Sequence, residues 1–278
     1  MNERAKVFWH EAFFEALQLE FHRYHDSLEF EDEYPLSKEA LIMDVLVIKK
    51  KQGERIDKNI GRIFKTHNIF EFKSETDSLT ERDYNKVVAY ALLYSSFTPA
   101  SVLDITVSFA VTVHPRELLK YLKDERGFTL QTAEPGICYI EGDTFPVQIL
   151  ESKLLPQEEN IFLRNLRSNL STDDVAKTAE AYKRLKSFEK KNVYLDRLIQ
   201  ANQDAFEEAM TVSNVAKELF FKVAERDGWL VDRLQQARLE SVTEKTEAIA
   251  KKMLLLGRPI EEVVEVTELP HETVINLV

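Results

Sequence analysis

Four ionisable residues stand where the apolar patterning leaves little room for charge. Asp44 interrupts "LIMDVLVI", Glu71 and Lys73 lie two apart in "NIFEFK", and Glu20 falls near the middle of the apolar face of the first helical segment. In a strand, positions i and i+2 share a face, so Glu71 and Lys73 point together while Phe70 and Phe72 enter the opposite packing layer. Taken singly, the Glu71 and Lys73 pair reads as a wet strand face, and Glu20 as a carboxylate paired with Arg23 or a tyrosine hydroxyl. Taken together, three acids in apolar settings demand compensation, because a buried carboxylate without a partner is costly or takes up a proton. A divalent cation meets that demand for all of them at once. Mg²⁺ is held by one or two carboxylates, with waters and phosphate oxygens completing its shell, which suits Asp44 and Glu71.

Competing chemistries lack their residues. The six histidines show neither HxxH nor HExxH spacing, so His10, His67 and His114 read as structural and zinc is disfavoured. Cys138, the single cysteine, reads as a packing residue that forms no internal disulfide, and a reducing, cytoplasmic setting is the expectation. No glycine-rich phosphate loop and no GxSxG occurs.

The elements that must position these residues follow from periodicity. Arg4 to Tyr24 is helical, with Phe8, Trp9, Ala12, Phe13, Ala16, Leu17, Leu19 and Phe21 on one broad face. Three strand-like stretches follow, Ser27 to Leu36, Ala40 to Lys50 and Asn68 to Lys73, rich in β-branched and aromatic residues. Ser78 or Thr80 then caps a helix from Glu81 to Phe97, and "SVLDITVSFAVTVHP" reads as a long buried strand. A second strand group, Gly127 to Glu151, extends the same domain, which ends near residue 155. From Pro156 the composition turns to amphipathic helices, almost continuous from Ser171 to Gly257 and suited to packing or self-association, including a homodimer. The chain closes on a helix after Gly257, a turn at Thr267 to Pro270 and a second helix from His271, a helix-turn-helix-like hairpin. Its glutamates (Glu261, Glu262, Glu265, Glu268 and Glu272) favour a structural role over DNA contact.

Composition sets the frame. At 278 residues, 44% hydrophobic and 31% charged, the chain can bury a substantial core unaided. Acidic residues interrupt the N-terminal helix, so it does not read as a signal peptide, and the longest strongly apolar run is too short to span a bilayer. The net charge of -11 opposes general nucleic-acid binding, but its distribution is uneven. Between Lys49 and Lys73 stand eight Lys or Arg against three acids, +5, which leaves -16 for the remainder. The basic segment 49–65 joins the two strands that carry Asp44 and Glu71, so it starts and finishes near them. Its expected use is to grip phosphate beside the site.

Asp44, then Glu71-Phe72-Lys73 on the next strand, within the order helix, three strands, helix, strand, resembles the PD-(D/E)XK nuclease core, with Met43-Asp44 where that motif has Pro-Asp. The stretches "FFEALQLEF", "PLSKEALIMDVLVIKK", "IGRIFKTHNIFEFKS", "DYNKVVAYALLY" and "AKKMLLLGRPIEEVVEVTELPHETVINL" together resemble the bacterial PD-(D/E)XK transposase family, related to recombination-promoting nucleases, over most of the chain. The resemblance implies an α/β fold, a restriction-endonuclease-like αβββαβ core with a mixed central sheet over residues 1–155, and a helical domain over 156–278. It implies a metal-dependent endonuclease acting on DNA, using Mg²⁺ with Mn²⁺ as a substitute. Asp44, Glu71 and the backbone carbonyl of Phe72 would ligate the ion. Lys73 would position or help deprotonate the attacking water and offset transition-state charge. Glu20 would complete the acidic cluster from the helix, with Glu15 and then Glu33 as alternatives. A catalytically idle relative that binds nucleic acid or another protein is the competing expectation.

Overall fold

The computed structural model of the chain describes residues 9–31, 46–186, 192–226, 246, 249–267 and 269–276. Along the chain, α1 (His10–Glu20) precedes three strands, β1 (Leu28–Glu31), β2 (Leu46–Lys50) and β3 (His67–Lys73). Then come α2 (Glu81–Phe97), β4 (Ile105–Val111), α3 (Arg116–Asp124), β5 (Thr129–Glu134), β6 (Ile137–Glu141) and β7 (Val147–Glu151). The strands form one mixed seven-stranded sheet in the order β1-β2-β3-β4-β7-β6-β5. Its centre, β3, β4 and β7, is parallel, and the flanking pairs are antiparallel. The fold is therefore α/β, with the second strand group extending the first.

β4 is buried at every position, as a central strand covered on both faces must be. Its polar residues are satisfied inside: Thr106 donates to Asn68 Oδ1 at 2.6 Å, and Gln148 Nε2 donates to Ser108 Oγ at 2.9 Å. Register assigns the two faces. Asn68, Phe70 and Phe72 lie on the face that α1 covers, where Phe13 stacks on Phe72 with ring centroids 4.8 Å apart. Ile69, Glu71 and Lys73 lie on the other face, under α2 and α3, whose Tyr84, Val87, Ala91, Leu118 and Leu122 join Ile69, Val107 and Ile149 in one core.

α2 begins where its sequence places it. Thr80 caps the helix, accepting from Asp83 N, while Asp83 returns a carboxylate to the Thr80 backbone N–H, a reciprocal capping box.

Beyond the sheet, α4 (Gln157–Arg164), α5 (Thr172–Leu185), α6 (Val193–Ala201) and α7 (Gln203–Val212) follow, and α4 and α6 pack on α1. The stretch expected as nearly continuous helix is broken by polar caps: Asn192 accepts from Leu195 N, Ser213 from Ala216 N, and Asn202 bonds the Leu198 carbonyl and Leu170 N–H between α6 and α7. The first compact unit runs through Phe220, so the change of composition at Pro156 marks a passage from sheet to helices inside that unit. α8 (Asn214–Arg226) carries the chain to the second unit, which starts at Phe221. There α9 (residues 249–255), α10 (Ile260–Thr267) and α11 (His271–Ile275) close around Ala250, Val263 and Val274, with the helix starts expected after Gly257 and at His271. No described helix is long and apolar enough to cross a membrane.

Candidate active site

Glu71 and Lys73 emerge side by side at the carboxyl end of β3, 7% and 9% exposed, with Lys73 Nζ 3.3 Å from Glu71 Oε1. The ends of parallel strands are where open α/β sheets place ligands. Two further carboxylates converge on the ammonium: Asp83 Oδ1 at 2.9 Å from the first turn of α2, and Asp77 Oδ2 at 3.3 Å from the connecting turn. Asp83 is shared, since its other oxygen receives the Thr80 hydroxyl at 2.5 Å and backbone N–H at 2.9 Å. The start of α2 is thus tied to the end of β3 through one side chain.

The electrostatics fix protonation. Burial works against the Lys73 ammonium, but the bond to Asp83 and the charges of Glu71 and Asp77 outweigh it and hold its pKa above the ordinary lysine range. Burial likewise opposes ionisation of Asp83, yet the bonds from Thr80 and Lys73 bring its pKa below the usual aspartate value. Lys73 is therefore held as an ammonium among these carboxylates, the form that can offset negative charge on a phosphoryl group.

Along the same edge of the sheet, Lys73, Val111 and Glu151 stand in one row across β3, β4 and β7. Glu151 Oε1 meets His114 Nδ1 at 2.9 Å. Asp77, Asp83, Glu151 and His114 were not singled out for this edge by the sequence reading. Only Asp83 had a local signal, its place three residues after the capping Thr80.

Glu20 is buried, as its place on the helix requires, but its partners lie elsewhere. Its Oε2 sits 2.8 Å from Lys58 Nζ and its Oε1 accepts from Leu163 N at 2.8 Å, with Lys58 also bonded to the Glu159 carbonyl. Burial raises the Glu20 pKa, with Lys58 and the backbone donors of Leu163 and Phe162 opposing. α1 covers the Phe70 and Phe72 face, whereas Glu71 and Lys73 are on the other. Glu20 also lies seven residues from Phe13, about 10 Å along the helix, toward the opposite end of β3 from Phe72. The structure does not bring Glu20 to Glu71. Glu15 is also engaged, its Oε2 accepting from Tyr194 N at 2.9 Å at the start of α6. Asp44 and Glu33 lie outside the described residues.

The body of the basic segment sits on the α1 face as well. Ile56, Ile60 and Phe64 are buried, Phe64 packs on Phe21 and Phe70, and Gln148 Nε2 donates to the Ile60 carbonyl at 2.8 Å. Its cations are committed locally, Lys58 to Glu20, Arg62 to Glu134, Arg55 to Asp57 and Lys65 to the Leu103 carbonyl. The expected grip beside Glu71 is therefore not assembled by the middle of this segment, because its apolar anchors draw it across the sheet.

Among the described residues, no group of three or more His, Cys, Asp or Glu side chains is arranged to hold a metal ion. What β3 offers is hard oxygen: the Glu71 carboxylate and the Phe72 carbonyl. Because the Lys73 carbonyl accepts from Thr112 N on the β4 side, strand alternation turns the Phe72 carbonyl toward the β2 side. Comparison with protein-family models, curated proteins and solved structures finds no match to this chain.

Proposed function

We propose that the chain is a metal-dependent DNA endonuclease of the PD-(D/E)XK type, in which Asp44, Glu71 and Lys73 form the reacting centre. The observation that carries this reading is the buried Glu71 and Lys73 pair at the carboxyl end of β3, 3.3 Å apart in an α-β-β-β-α-β order. Asp44, Glu71 and the Phe72 carbonyl are a hard-oxygen set that fits Mg²⁺, or Mn²⁺ in its place, and the ion would supply Lewis-acid polarisation of the phosphate and an activated water.

The remaining chemistry belongs to the chain. Lys73, permanently charged, opposes the negative charge that grows on the phosphoryl oxygens in the transition state. Asp83 fixes the ammonium from the α2 side, and Asp77, the most exposed of its partners, is the one a phosphate oxygen replaces. Glu20 supports the fold of α1 and the basic segment and has no share in the reaction. Leu46 and Ile48 of β2 share the Phe70 face, opposite to that of Glu71.

A supercoiled-plasmid nicking assay with Mg²⁺ or Mn²⁺, against EDTA, tests the proposal. Wild type should nick only with metal, and Lys73→Ala and Asp44→Asn should each lose on the order of 100-fold in rate. Wild type and both variants equally inert across the metals, or nicking indifferent to EDTA, would overturn it. One observation favours a second reading, an idle nuclease-fold protein that binds nucleic acid or another protein: Lys73 is neutralised by three carboxylates in a nearly closed network. Inert wild type that still binds DNA would select it.

A further inference from the structure

β2 ends in Lys49 and Lys50, Lys51 follows directly, and the turn before β1 and the start of β3 lie beside them. The open cavity they border is about 480 Å³, and Asp26, Glu29, Thr66 and His67 also line it. That volume lies within the range of small-ligand sites.

The charges there are unevenly compensated. Lys49 meets Glu31 at 2.6 Å and stands across the β1–β2 ladder from Glu29, while Asp26 pairs with His25 at 3.3 Å. Lys50 donates to the Glu54 carbonyl at 2.7 Å, an acceptor without formal charge. Lys51 is exposed and has no ion pair among the described residues. The Thr66 hydroxyl makes no hydrogen bond among the described residues, and His67 spends Nδ1 on the Tyr94 hydroxyl at 2.8 Å. Three lysines and the Thr66 hydroxyl thus line one cavity against two carboxylates, Asp26 and Glu29, a local excess of positive charge in a chain whose net charge is -11. Ammonium and hydroxyl donors of this kind suit a tetrahedral oxyanion.

We propose that this cavity is a phosphate-binding site with Lys50, Lys51 and Thr66 as its donors; its extension to a nucleic-acid backbone rests on the nuclease reading. The site is distinct from the Glu71 and Lys73 centre. His67 and Lys73 are six residues apart on one strand, about 20 Å at 3.3 Å per residue, and α2 lies between the two positions.

The test uses the full chain in EDTA, so that cleavage plays no part. Titration calorimetry with inorganic phosphate, and fluorescence anisotropy with a labelled DNA duplex, are read for wild type, Lys50→Ala/Lys51→Ala, Lys51→Glu, and the control Lys120→Ala/Lys123→Ala. The control removes the same charge from exposed positions of α3. The cavity variants should weaken phosphate binding about tenfold or more, and should flatten the salt dependence of duplex binding by about 0.9 in log-log slope, the value for one lost phosphate contact. The control should stay within about twofold of wild type. Phosphate binding that the cavity variants weaken, without duplex binding, supports the site and assigns free phosphate as its occupant. No phosphate binding in wild type, or equal losses in cavity and control variants, overturns it. The nicking assay stands apart: wild type that cannot nick yet binds phosphate through Lys50 and Lys51 loses the nuclease reading and keeps this one. Wild type that nicks, with phosphate affinity unchanged in the cavity variants, does the reverse.

Discussion

Replacing Lys58 by Met should destabilise the first unit strongly, and by an amount that depends on pH. Lys58 Nζ is 2.8 Å from Glu20 Oε2, and the two side chains are only 11% and 2% exposed. Removing one partner of a buried ion pair costs about 3–5 kcal/mol when the other charge is left behind. Glu20 has an escape, because protonation limits the penalty to about 1.4 kcal/mol for each pH unit by which the solution lies above its unfolded pKa. The sign follows from its direction of shift. Burial raises the folded Glu20 pKa even with Lys58 present, so its stabilising share is complete below the unfolded value and is lost as pH rises through the folded one. Lys58→Met pushes the folded value higher still. The loss should therefore be small near pH 5 and approach about 3–5 kcal/mol near pH 8, a fall in Tm on the order of 10 °C. Urea unfolding followed through the fluorescence of Trp9, buried at the head of α1, reads this directly. Glu20→Gln/Lys58→Met, with neither charge, should regain part of the loss at the higher pH. A penalty equal at both pH values, or a double variant whose loss is the sum of the single ones, would show that Glu20 and Lys58 are not coupled in this way.

Two further outcomes follow from particular contacts. Asp83→Asn should cost about 1–2 kcal/mol through the weakened capping box. It should also remove an acid-side slope in stability, because a carboxyl held below its usual value stabilises above the unfolded pKa and loses that share as pH falls through the folded one; thermal unfolding between about pH 3 and 6 checks both. Gly136→Ala should cost about 1–3 kcal/mol for its left-handed φ of +77°, and more because the added Cβ would meet the Glu151 carbonyl oxygen and Leu155 nitrogen at 2.8 Å. Unchanged unfolding of that variant in urea would contradict the close approach.

Where a signal is local, the sequence carries it. Thr80 before a 3.6-period run marks α2 from its first residue to its last, and strand alternation sets Glu71 and Lys73 on one face. Periodicity also places Glu20 indoors, but no local rule names Lys58 and the Leu163 backbone as its partners, since these meet only when α4 folds onto α1. Asp77 and Asp83 reach Lys73 because α2 doubles back along β3, a fact of crossover geometry. The almost continuous helix expected after Ser171 is interrupted at Asn192, Asn202 and Ser213, residues that compete for backbone bonds as effectively as Pro or Gly interrupts them. The face chosen by the basic segment was readable in principle. Ile56, Ile60 and Phe64 recur at every fourth position among charged neighbours, an apolar anchor inside a run noticed for its lysines.

The two glutamates of α1 bear on how the protein is made. Glu15 and Glu20 lie near the start of the chain, yet the backbone groups they satisfy belong to Tyr194 and Leu163, the former 179 residues later. At about 5–20 residues per second, a ribosome needs on the order of ten to thirty-five seconds to deliver that partner. Through that interval Glu15 and the second oxygen of Glu20 must wait in water, or bind something else. A fragment cut after the last strand waits indefinitely: it keeps every described strand and Lys58, but loses the Tyr194 and Leu163 donors to Glu15 and Glu20. The sheet region is thus a layer of this protein that its own later helices complete, and expressing it alone should give a chain that aggregates before it folds.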